Sequence, residues 1–208
     1  MQWMRYASGM TLRDRKKIRT RQAIVDAATE LFATRGYEGT TVADIAATAE
    51  IGTRTFFSYF ASKEELLFPQ SDARVRAAVD AIATRKPGES PAEVLLRALR
   101  DAGASDDDMV SPLARLRLDL ARTVPAVRGR GLQIQLDAQR EIARHLRDAY
   151  PDELDDVRAA ALVGAFVGAV TGALMVLLDD PDAVAGGPER LKERLRQATD
   201  VALRPWSG

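Results

Sequence analysis

The sequence predicts an all-α protein. Apolar residues recur three or four positions apart along nearly the whole chain, as they do on one face of a helix. No run alternates apolar and polar residues in the manner of a strand, and no Asn-Gly pair marks a hairpin. With 46% of its 208 residues hydrophobic, the chain has enough apolar surface for one large or two small cores. We expect nine helices and no internal repeat.

Local signals predict where the first two helices begin and end. The first is expected at about residues 15–35, because Gly36 supplies the left-handed residue that commonly closes a helix. Thr41 and Asp44 then have the spacing of a capping box, in which each side chain bonds to the backbone of the other residue. This box predicts a second, short helix at about residues 42–49.

A third short helix is expected at about residues 53–60, after a tight turn. Ser62 and Glu65 form another capping-box pattern. They predict a long helix that continues through Ile82, with a kink where Pro69 removes a backbone donor.

Prolines and glycines divide the remaining chain into five helices. Proline costs no hydrogen bond at the first position of a helix, so several of these helices are expected to start with one. The apolar stripes predict a helix from Pro91 carrying Leu95 and Leu99, one with Leu113, Leu116 and Leu120, one between Pro125 and Pro151, and two at about 154–178 and 188–203.

Charge is segregated, although the formal net charge is zero. Residues 1–21 contain seven basic residues and one acidic residue, which indicates either a solvated tail or an arm that binds a polyanion. The chain has no cysteine, which excludes disulfides and cysteine-based zinc sites. No apolar signal-peptide core follows Met1, so we expect a cytoplasmic protein.

Two short helices joined by a tight turn, after a longer packing helix, match the helix-turn-helix arrangement. The apolar positions of the short helices can face the first helix. Arg54, Thr55, Ser58 and Tyr59 then remain on the outer face of the second short helix. Arginine can bond guanine edges, whereas hydroxyl groups and Lys63 suit phosphate oxygens, so this pattern predicts binding to double-stranded DNA.

The segments Ile24–Ala46 and Thr55–Leu66 resemble the TetR family of one-component regulators. The helix-end glycine, the Thr-Thr cap, the aromatic block and the Ser-Lys-Glu-Glu helix start occur together at family spacing, over about residues 13–68. The resemblance implies a basic flexible arm at 1–14, a DNA-binding domain at 15–64 and an effector-binding and dimerisation domain at 65–208. It also implies a repressor whose dimer reads a pseudo-palindromic operator and whose effector changes the separation of the two DNA-binding heads.

From the residue chemistry and the resemblance together, we expect one set of DNA contacts: Arg13, Lys16, Lys17, Thr41, Arg54, Thr55, Phe57, Ser58, Tyr59 and Lys63. The resemblance places Thr41 at a helix cap, Thr55 on base edges, and Tyr59 and Lys63 on phosphates. Two positions depart from the family pattern. Glu50 stands where the turn usually has glycine, and Phe57 stands where the family usually has tyrosine. Phe57 keeps the capacity to contact a thymine methyl but loses a hydroxyl.

Residues 159–178 are uncharged, and this length would also suit a membrane span. Acidic residues follow the segment and no basic cluster flanks it, which favours a buried helix over a span. In the resembled family the last two long helices of each subunit form a four-helix dimer interface. We therefore expect a homodimer, with no membrane partner, held by Gly164, Gly168, Gly172, Leu191, Leu195 and Ala198.

The effector pocket is expected among residues of the helices that enclose the ligand in the resembled family: Leu95, Leu99, Leu113, Leu116, Arg117, Leu120, Phe166 and Val170. Each of the apolar ones also suits plain core. Leucine, valine and alanine predominate and aromatics are few, which favours a flexible aliphatic effector such as a fatty acyl-CoA. Arg115, Arg117, Arg128 and Arg130 supply cations for an anionic head group.

The residues offer no constellation for catalysis or metal binding. His145 is the only histidine, and no serine has a Gly-x-Ser-x-Gly context. The acidic runs 106–108 and 152–156 lack the spacing of a calcium loop. We expect no cofactor and no enzyme activity. A helical enzyme and a DNA-binding structural protein without an effector are the alternatives to a ligand-controlled repressor.

Overall fold

The computed structural model describes residues 11–105 and 110–204, with side chains described outside 102–109. Within these ranges the chain forms ten α-helices, one 3-10 helix and no strand. The helices are α1 Leu12–Arg35, α2 Val42–Thr48, α3 Thr53–Phe57, α4 Ser71–Ala83, α5 Pro91–Ser105, α6 Pro112–Thr123, α7 Pro125–Ala149, α8 Asp156–Asp179, α9 Pro181–Ala185 and α10 Pro188–Leu203; the 3-10 helix is Glu64–Leu67. The all-α prediction is confirmed. Most of the basic arm and the acidic run 106–108 lie outside the described residues.

The chain divides into two compact units, residues 1–69 and 70–208. The first unit contains α1, α2, α3 and the 3-10 helix. Its core is built from Ile24, Leu31, Ile45, Phe56 and Leu67, each at most 5% exposed. Since these residues come from all four elements, a single small core holds the helix-turn-helix against α1.

The start of α1 lies slightly before the predicted position. Thr11 accepts a hydrogen bond from the backbone of Asp14, and Asp14 accepts one from the backbone of Thr11, which completes a capping box. At the other end Gly36 has φ of 78°, the left-handed region in which glycine carries no penalty.

The predicted long helix from Ser62 to Ile82 is wrong in one respect: Pro69 breaks it instead of kinking it. The 3-10 helix ends at Leu67, and Phe68 leaves the helical region with φ of −127° and ψ of 47°. Proline disfavours helical backbone in the residue before it and donates no hydrogen bond itself. The chain therefore restarts as a separate helix, α4, at Ser71.

A short helix, α9, forms where the sequence predicted only a loop. The side chain of Asp180 accepts a hydrogen bond from the backbone of Asp182 at 3.0 Å, and Pro181 occupies the first helical position. Ala183 is 2% exposed, so this single turn is packed onto the second unit.

The second unit has two apolar clusters. The larger is made by α4, α5, α7 and α8 together with Leu203 of α10, and it includes Leu95, Leu146 and Leu162. The smaller surrounds Leu177, Leu191 and Leu195 on α8 and α10. Leu99 and Val170 are partly buried and pack against both clusters. These two side chains therefore lie where the clusters meet.

Candidate functional site

The turn between α2 and α3 makes a specific demand on its backbone. Glu50 has φ of 54° and is the one described residue other than glycine with positive φ. Its amide donates to Ala47, and the amide of Ile51 donates to Ala46 at 2.9 Å, which closes the turn. The position that departs from the family's glycine thus keeps the left-handed conformation that glycine would adopt.

One face of α3 is anchored and the other is exposed. Phe56 is fully buried and meets the ring of Phe60 at 6.0 Å. Arg54, Thr55 and Ser58 are exposed, and Phe57 is 56% exposed. Because α3 has only one buried side chain, its remaining side chains form an outward surface that a DNA groove could accept.

Two of the expected DNA contacts have hydroxyl groups that already bond within the chain. The Thr41 hydroxyl donates to the Asp44 carboxylate at 2.5 Å and accepts from the Asp44 amide at 3.1 Å. The hydrogen bond from Thr41 lowers the pKa of Asp44. The Ser58 hydroxyl donates to the carbonyl of Thr55 at 2.6 Å. The capping box predicted at Thr41 is confirmed, and it uses the proton that a phosphate contact would need.

Lys63 also has partners inside the first unit. Its ammonium group donates to the carbonyl of Tyr37 at 2.8 Å and to that of Thr40 at 3.0 Å, and it lies 3.9 Å from the Tyr37 ring centroid. The Tyr37 hydroxyl donates to Glu64 at 2.5 Å, and burial together with this bond raises the Tyr37 pKa. This cluster ties the loop after α1 to the 3-10 helix, so Lys63 holds the motif together.

Arg21 has a structural role that its place in the basic run does not by itself predict. Its guanidinium donates to the carbonyls of Tyr59 at 2.9 Å and Pro69 at 3.3 Å and lies 4.1 Å from the ring centroid of Phe60. It thereby joins α1 to the segment that follows α3. The available signal was its spacing, because Arg21 falls on the same helical stripe as Ile24 and Ala28.

The other basic residues of α1 are turned outward. Arg13, Lys16 and Lys17 are exposed, and Asp14, the acid among them, is held in the capping box with Thr11. The first strongly buried residue of α1 is Ile24. The preceding turns of α1 therefore form a basic helical extension, defined here as residues 12–20.

Four of the expected effector residues share the larger apolar cluster or pack against it. Leu95 and Phe166 belong to the larger cluster, and Leu99 and Val170 pack against it. The other four lie on α6, and of these only Leu113 is buried: Leu113, Leu116, Arg117 and Leu120. Of the expected head-group cations, Arg128 is already used, because its guanidinium donates to the carbonyls of Ala121 and Arg122 at the end of α6.

The expected dimer residues lie on two different surfaces. Gly168, Gly172 and Ala198 are exposed, and a methyl group added to either glycine would meet nothing within 4 Å. Leu191 and Leu195 are 2% and 3% exposed and pack against α8 of their own chain. Both leucines are therefore buried within their own chain, and the outward face of α10 carries Ala198 and the 63%-exposed Val201 instead.

α8 is long and apolar enough to cross a membrane, yet only 28% of its most apolar 18-residue stretch is buried within the chain. Val157 and Val176 are 77% and 68% exposed. An apolar surface of this extent on one helix indicates that another molecule covers it.

Comparison with known proteins agrees with this geometry. Residues 24–68 match the model of the bacterial regulatory proteins of the tetR family. The chain is 34% identical to the HTH-type transcriptional regulator TcmR of Streptomyces glaucescens over 95% of this chain and 88% of that protein.

Two solved structures have a similar fold. The TetR-family repressor FadR of Thermus thermophilus, in complex with lauroyl-CoA, is 22% identical, with a TM-score of 0.58 over 88% of this chain and 93% of that one. A TetR-family transcriptional regulator from Syntrophomonas wolfei is 18% identical, with the same TM-score of 0.58 over 89% and 95%. The chain belongs to the TetR family of bacterial regulators, and it is a helix-turn-helix DNA-binding regulator of transcription, not an enzyme.

Proposed function

We propose that this protein is a cytoplasmic, dimeric repressor that binds a pseudo-palindromic operator and is released from it by a small amphipathic effector. The observation that carries the proposal is the division of α3, in which Phe56 anchors the helix while Arg54, Thr55 and Phe57 are exposed. Arg54 suits guanine, Thr55 suits several bases and Phe57 suits a thymine methyl. These three residues read bases, and Tyr59 lies beside them at the phosphates, while the Ser58 hydroxyl keeps its bond to the carbonyl of Thr55.

The basic helical extension of α1 supplies further contacts to phosphates. Arg13, Lys16 and Lys17 extend beyond the core of the first unit, and exposed cations of this kind hold a duplex without reading its sequence. Thr41 and Lys63 keep the internal bonds described above. They contribute to DNA binding by fixing the position of α3. A phosphate can be contacted only by those of their donor groups that are not used in the internal bonds.

A second copy of the chain covers the exposed face of α8. This face carries Val157, Gly168, Gly172 and Val176, and α10 adds Ala198 and Val201. Glycines allow two helices to approach closely, and a two-fold dimer presents two equivalent α3 helices to successive major grooves. A pseudo-palindromic operator follows from that symmetry.

The effector occupies the second unit near Leu99 and Val170, where the two apolar clusters meet. A fatty acyl-CoA suits the aliphatic lining, and lauroyl-CoA is the molecule bound by FadR of Thermus thermophilus, which shares the fold. An effector that binds more tightly to the DNA-incompetent state lowers the affinity of the protein for its operator. By linkage, the bound operator lowers the affinity for the effector by the same factor.

Selection from a library of random duplexes tests DNA recognition. We expect enrichment of inverted repeats, with wild type preferring the selected duplex over a scrambled one. Thr55→Ala should lower that preference by about tenfold, since one base contact is worth roughly 1–3 kcal/mol. Recovery of duplexes without a shared sequence would instead identify a non-specific DNA-binding protein.

A panel of acyl-CoAs of increasing chain length tests the effector. We expect a chain-length optimum at which the melting temperature rises and the selected duplex is released. If a planar aromatic compound does both and no acyl-CoA does either, the aliphatic effector is wrong while the DNA-binding function stands.

A further inference from the structure

Phe57 presents an apolar ring on the part of the chain that meets DNA. The ring is 56% exposed, and it is the one exposed aromatic side chain in the described ranges. It lies on α3, the second helix of the helix-turn-helix, and in this arrangement the second helix enters the major groove. Phe57 is therefore placed where base edges are read, although its side chain has no hydrogen-bonding group.

The ring of Phe57 is held in place by other aromatic rings. It meets the ring of Phe56 edge to face, with the centroids 5.3 Å apart and the planes at 84°. This is a favoured geometry for an aromatic pair. Phe56 is fully buried and packs against Phe60, which in turn lies beneath the Arg21 guanidinium. The series of rings fixes Phe57 relative to the core of the first unit, so a contact with DNA costs it little side-chain entropy.

The surface beside the ring offers no hydroxyl proton to a base. Ser58 follows Phe57 in the chain, and its hydroxyl donates to the carbonyl of Thr55 at 2.6 Å. Phe57 itself stands where the family usually has tyrosine, so the phenolic hydroxyl is absent as well. Thymine and cytosine differ in the major groove by an acceptor at position 4 in one and a donor in the other. The Phe57 ring cannot detect that difference, because it neither donates nor accepts a hydrogen bond.

The apolar group that a base presents in the major groove is the C5 methyl of thymine. Cytosine and uracil have hydrogen at C5, whereas 5-methylcytosine has a methyl group there. We infer that Phe57 reads the pyrimidine C5 methyl group itself, so that one position of each half-site favours a methylated pyrimidine, whether thymine or 5-methylcytosine. DNA binding then responds to cytosine methylation at that position. This inference rests on the proposed reading of bases by α3.

Replacing thymine with deoxyuridine tests the thymine arm, because it removes the methyl group and leaves the pairing edge unchanged. In a symmetric duplex built from the selected half-site, each thymine is replaced in turn, together with its symmetric counterpart. We expect a position at which wild type loses about fifteenfold in affinity. One buried methyl group changes an association constant by about fourfold, and the two half-sites multiply. At that position Phe57→Ala should bind the thymine and uracil duplexes alike.

Cytosine methylation tests the other source of the methyl group. At the sensitive position of both half-sites, a C·G pair takes the place of T·A, and the duplex with 5-methylcytosine is compared with the duplex with cytosine. The two duplexes differ only in the methyl group. We expect wild type to bind the methylated duplex about fifteenfold more tightly, by the same reasoning. Phe57→Ala should bind both duplexes equally.

Thr55→Ser is the matched control, because the methyl group of threonine could also contact a C5 methyl. Serine keeps the hydroxyl and removes only that methyl group, so this variant should keep both preferences of wild type. Each preference is a ratio measured on one protein, so a general loss of affinity in Phe57→Ala does not imitate the expected result. Low salt strengthens the phosphate contacts and keeps weak complexes measurable. Melting temperatures verify that each variant folds.

The inference is overturned if no thymine position is sensitive to uracil, if cytosine methylation leaves the affinity of wild type unchanged, if Phe57→Ala keeps either preference, or if Thr55→Ser loses them. A scrambled duplex separates this inference from the proposed function. If wild type prefers the selected duplex over the scrambled one and ignores the methyl group, only the methyl inference is wrong. If wild type prefers neither duplex, base reading by α3 fails and the methyl inference fails with it.

Discussion

Glu50 holds a backbone conformation that favours glycine, because its φ of 54° brings the Cβ atom close to the following carbonyl. Its side chain is exposed and makes no contact that offsets this cost among the described residues. The resemblance to the family identified the missing glycine, since the rest of the turn follows the family pattern. It did not predict whether the turn would change shape or keep its shape under strain. In the structure the turn keeps its shape, and Glu50 adopts the left-handed backbone.

Replacing Glu50 with glycine should stabilise the protein. A non-glycine residue in left-handed backbone destabilises the folded state by about 1–2 kcal/mol. Glycine removes this cost but also gives the unfolded chain more conformational entropy, which cancels about half of the gain in stability. We expect the melting temperature to rise by about 1–3 °C. Glu50→Ala is the control, because alanine removes the carboxylate and keeps the strain. An equal gain in the alanine variant would attribute the effect to charge and refute the strain argument.

Glu89 lies in the loop between α4 and α5 and forms an ion pair with Arg97 on α5. The Glu89 carboxylate accepts from Arg97 at 2.7 Å, and Arg97 also donates to the carbonyl of Ala81. The hydrogen bond from Arg97 lowers the pKa of Glu89 to about 2. Because the folded pKa lies below the unfolded value, this pair stabilises the fold at neutral pH and loses its effect as the pH falls from about 4.5 towards 2.

Glu89→Gln should therefore reduce the free energy of unfolding at pH 7 by about 2 kcal/mol and flatten its decline between pH 4.5 and 2.5. Urea unfolding across that range measures both effects. Glu141→Gln, at an exposed position of α7, should leave the curve unchanged. If Glu89→Gln and wild type decline in parallel with acid, then Glu89 does not contribute to the acid sensitivity of the fold.

At the scale of the helices, the sequence predicted those features that depend on residues close together in the chain. Capping boxes, helix starts at proline and the helix end at Gly36 each depend on a few consecutive residues. The spacing of apolar residues along a helix also depends on residues only three or four positions apart. The internal partners of Arg21 and Lys63 could not be predicted in this way, because they lie more than twenty residues away, at Tyr59, Pro69, Tyr37 and Thr40. For the same reason, spacing within α10 did not predict which of its two faces would pack against α8.

Gly168→Leu tests the exposed face of α8 as a dimer surface. Added atoms at Gly168 meet nothing within the chain, and leucine favours a helix over glycine by about 0.8 kcal/mol, so the protomer should fold as before. Across a close helix pair the side chain separates the two copies, and we expect the dimer dissociation constant to rise at least about tenfold, which is roughly 1.4 kcal/mol. Sedimentation equilibrium measures it.

The matched control is Gly129→Leu, because Gly129 is exposed on α7 and also has open space at its Cβ position. This variant should dimerise as wild type does. Dimers of unchanged affinity in Gly168→Leu would mean that another surface joins the two copies.

For the whole molecule, the balance of 30 basic and 30 acidic residues conceals an uneven distribution. Unit 1 has ten basic and eight acidic residues, while unit 2 has twenty and twenty-two. The positive excess lies entirely in residues 1–35, which have eight basic and three acidic residues, whereas residues 36–69 have two basic and five acidic ones. Overall charge therefore predicts little attraction to DNA, whereas local charge predicts a strong one.

Salt dependence distinguishes these two descriptions. Each phosphate contact releases counterions, so the logarithm of the DNA association constant falls with the logarithm of salt concentration in proportion to the number of contacts. Replacing Arg13, Lys16 and Lys17 with glutamine should reduce that slope by about three per protomer. It should also weaken binding to selected and scrambled duplexes alike. Glutamine at Arg76, Arg100 and Arg144, exposed in unit 2, changes net charge equally and should leave the slope as in wild type. Equal changes in both triple variants would mean that net charge, and not contact by the α1 extension, governs the attraction to DNA.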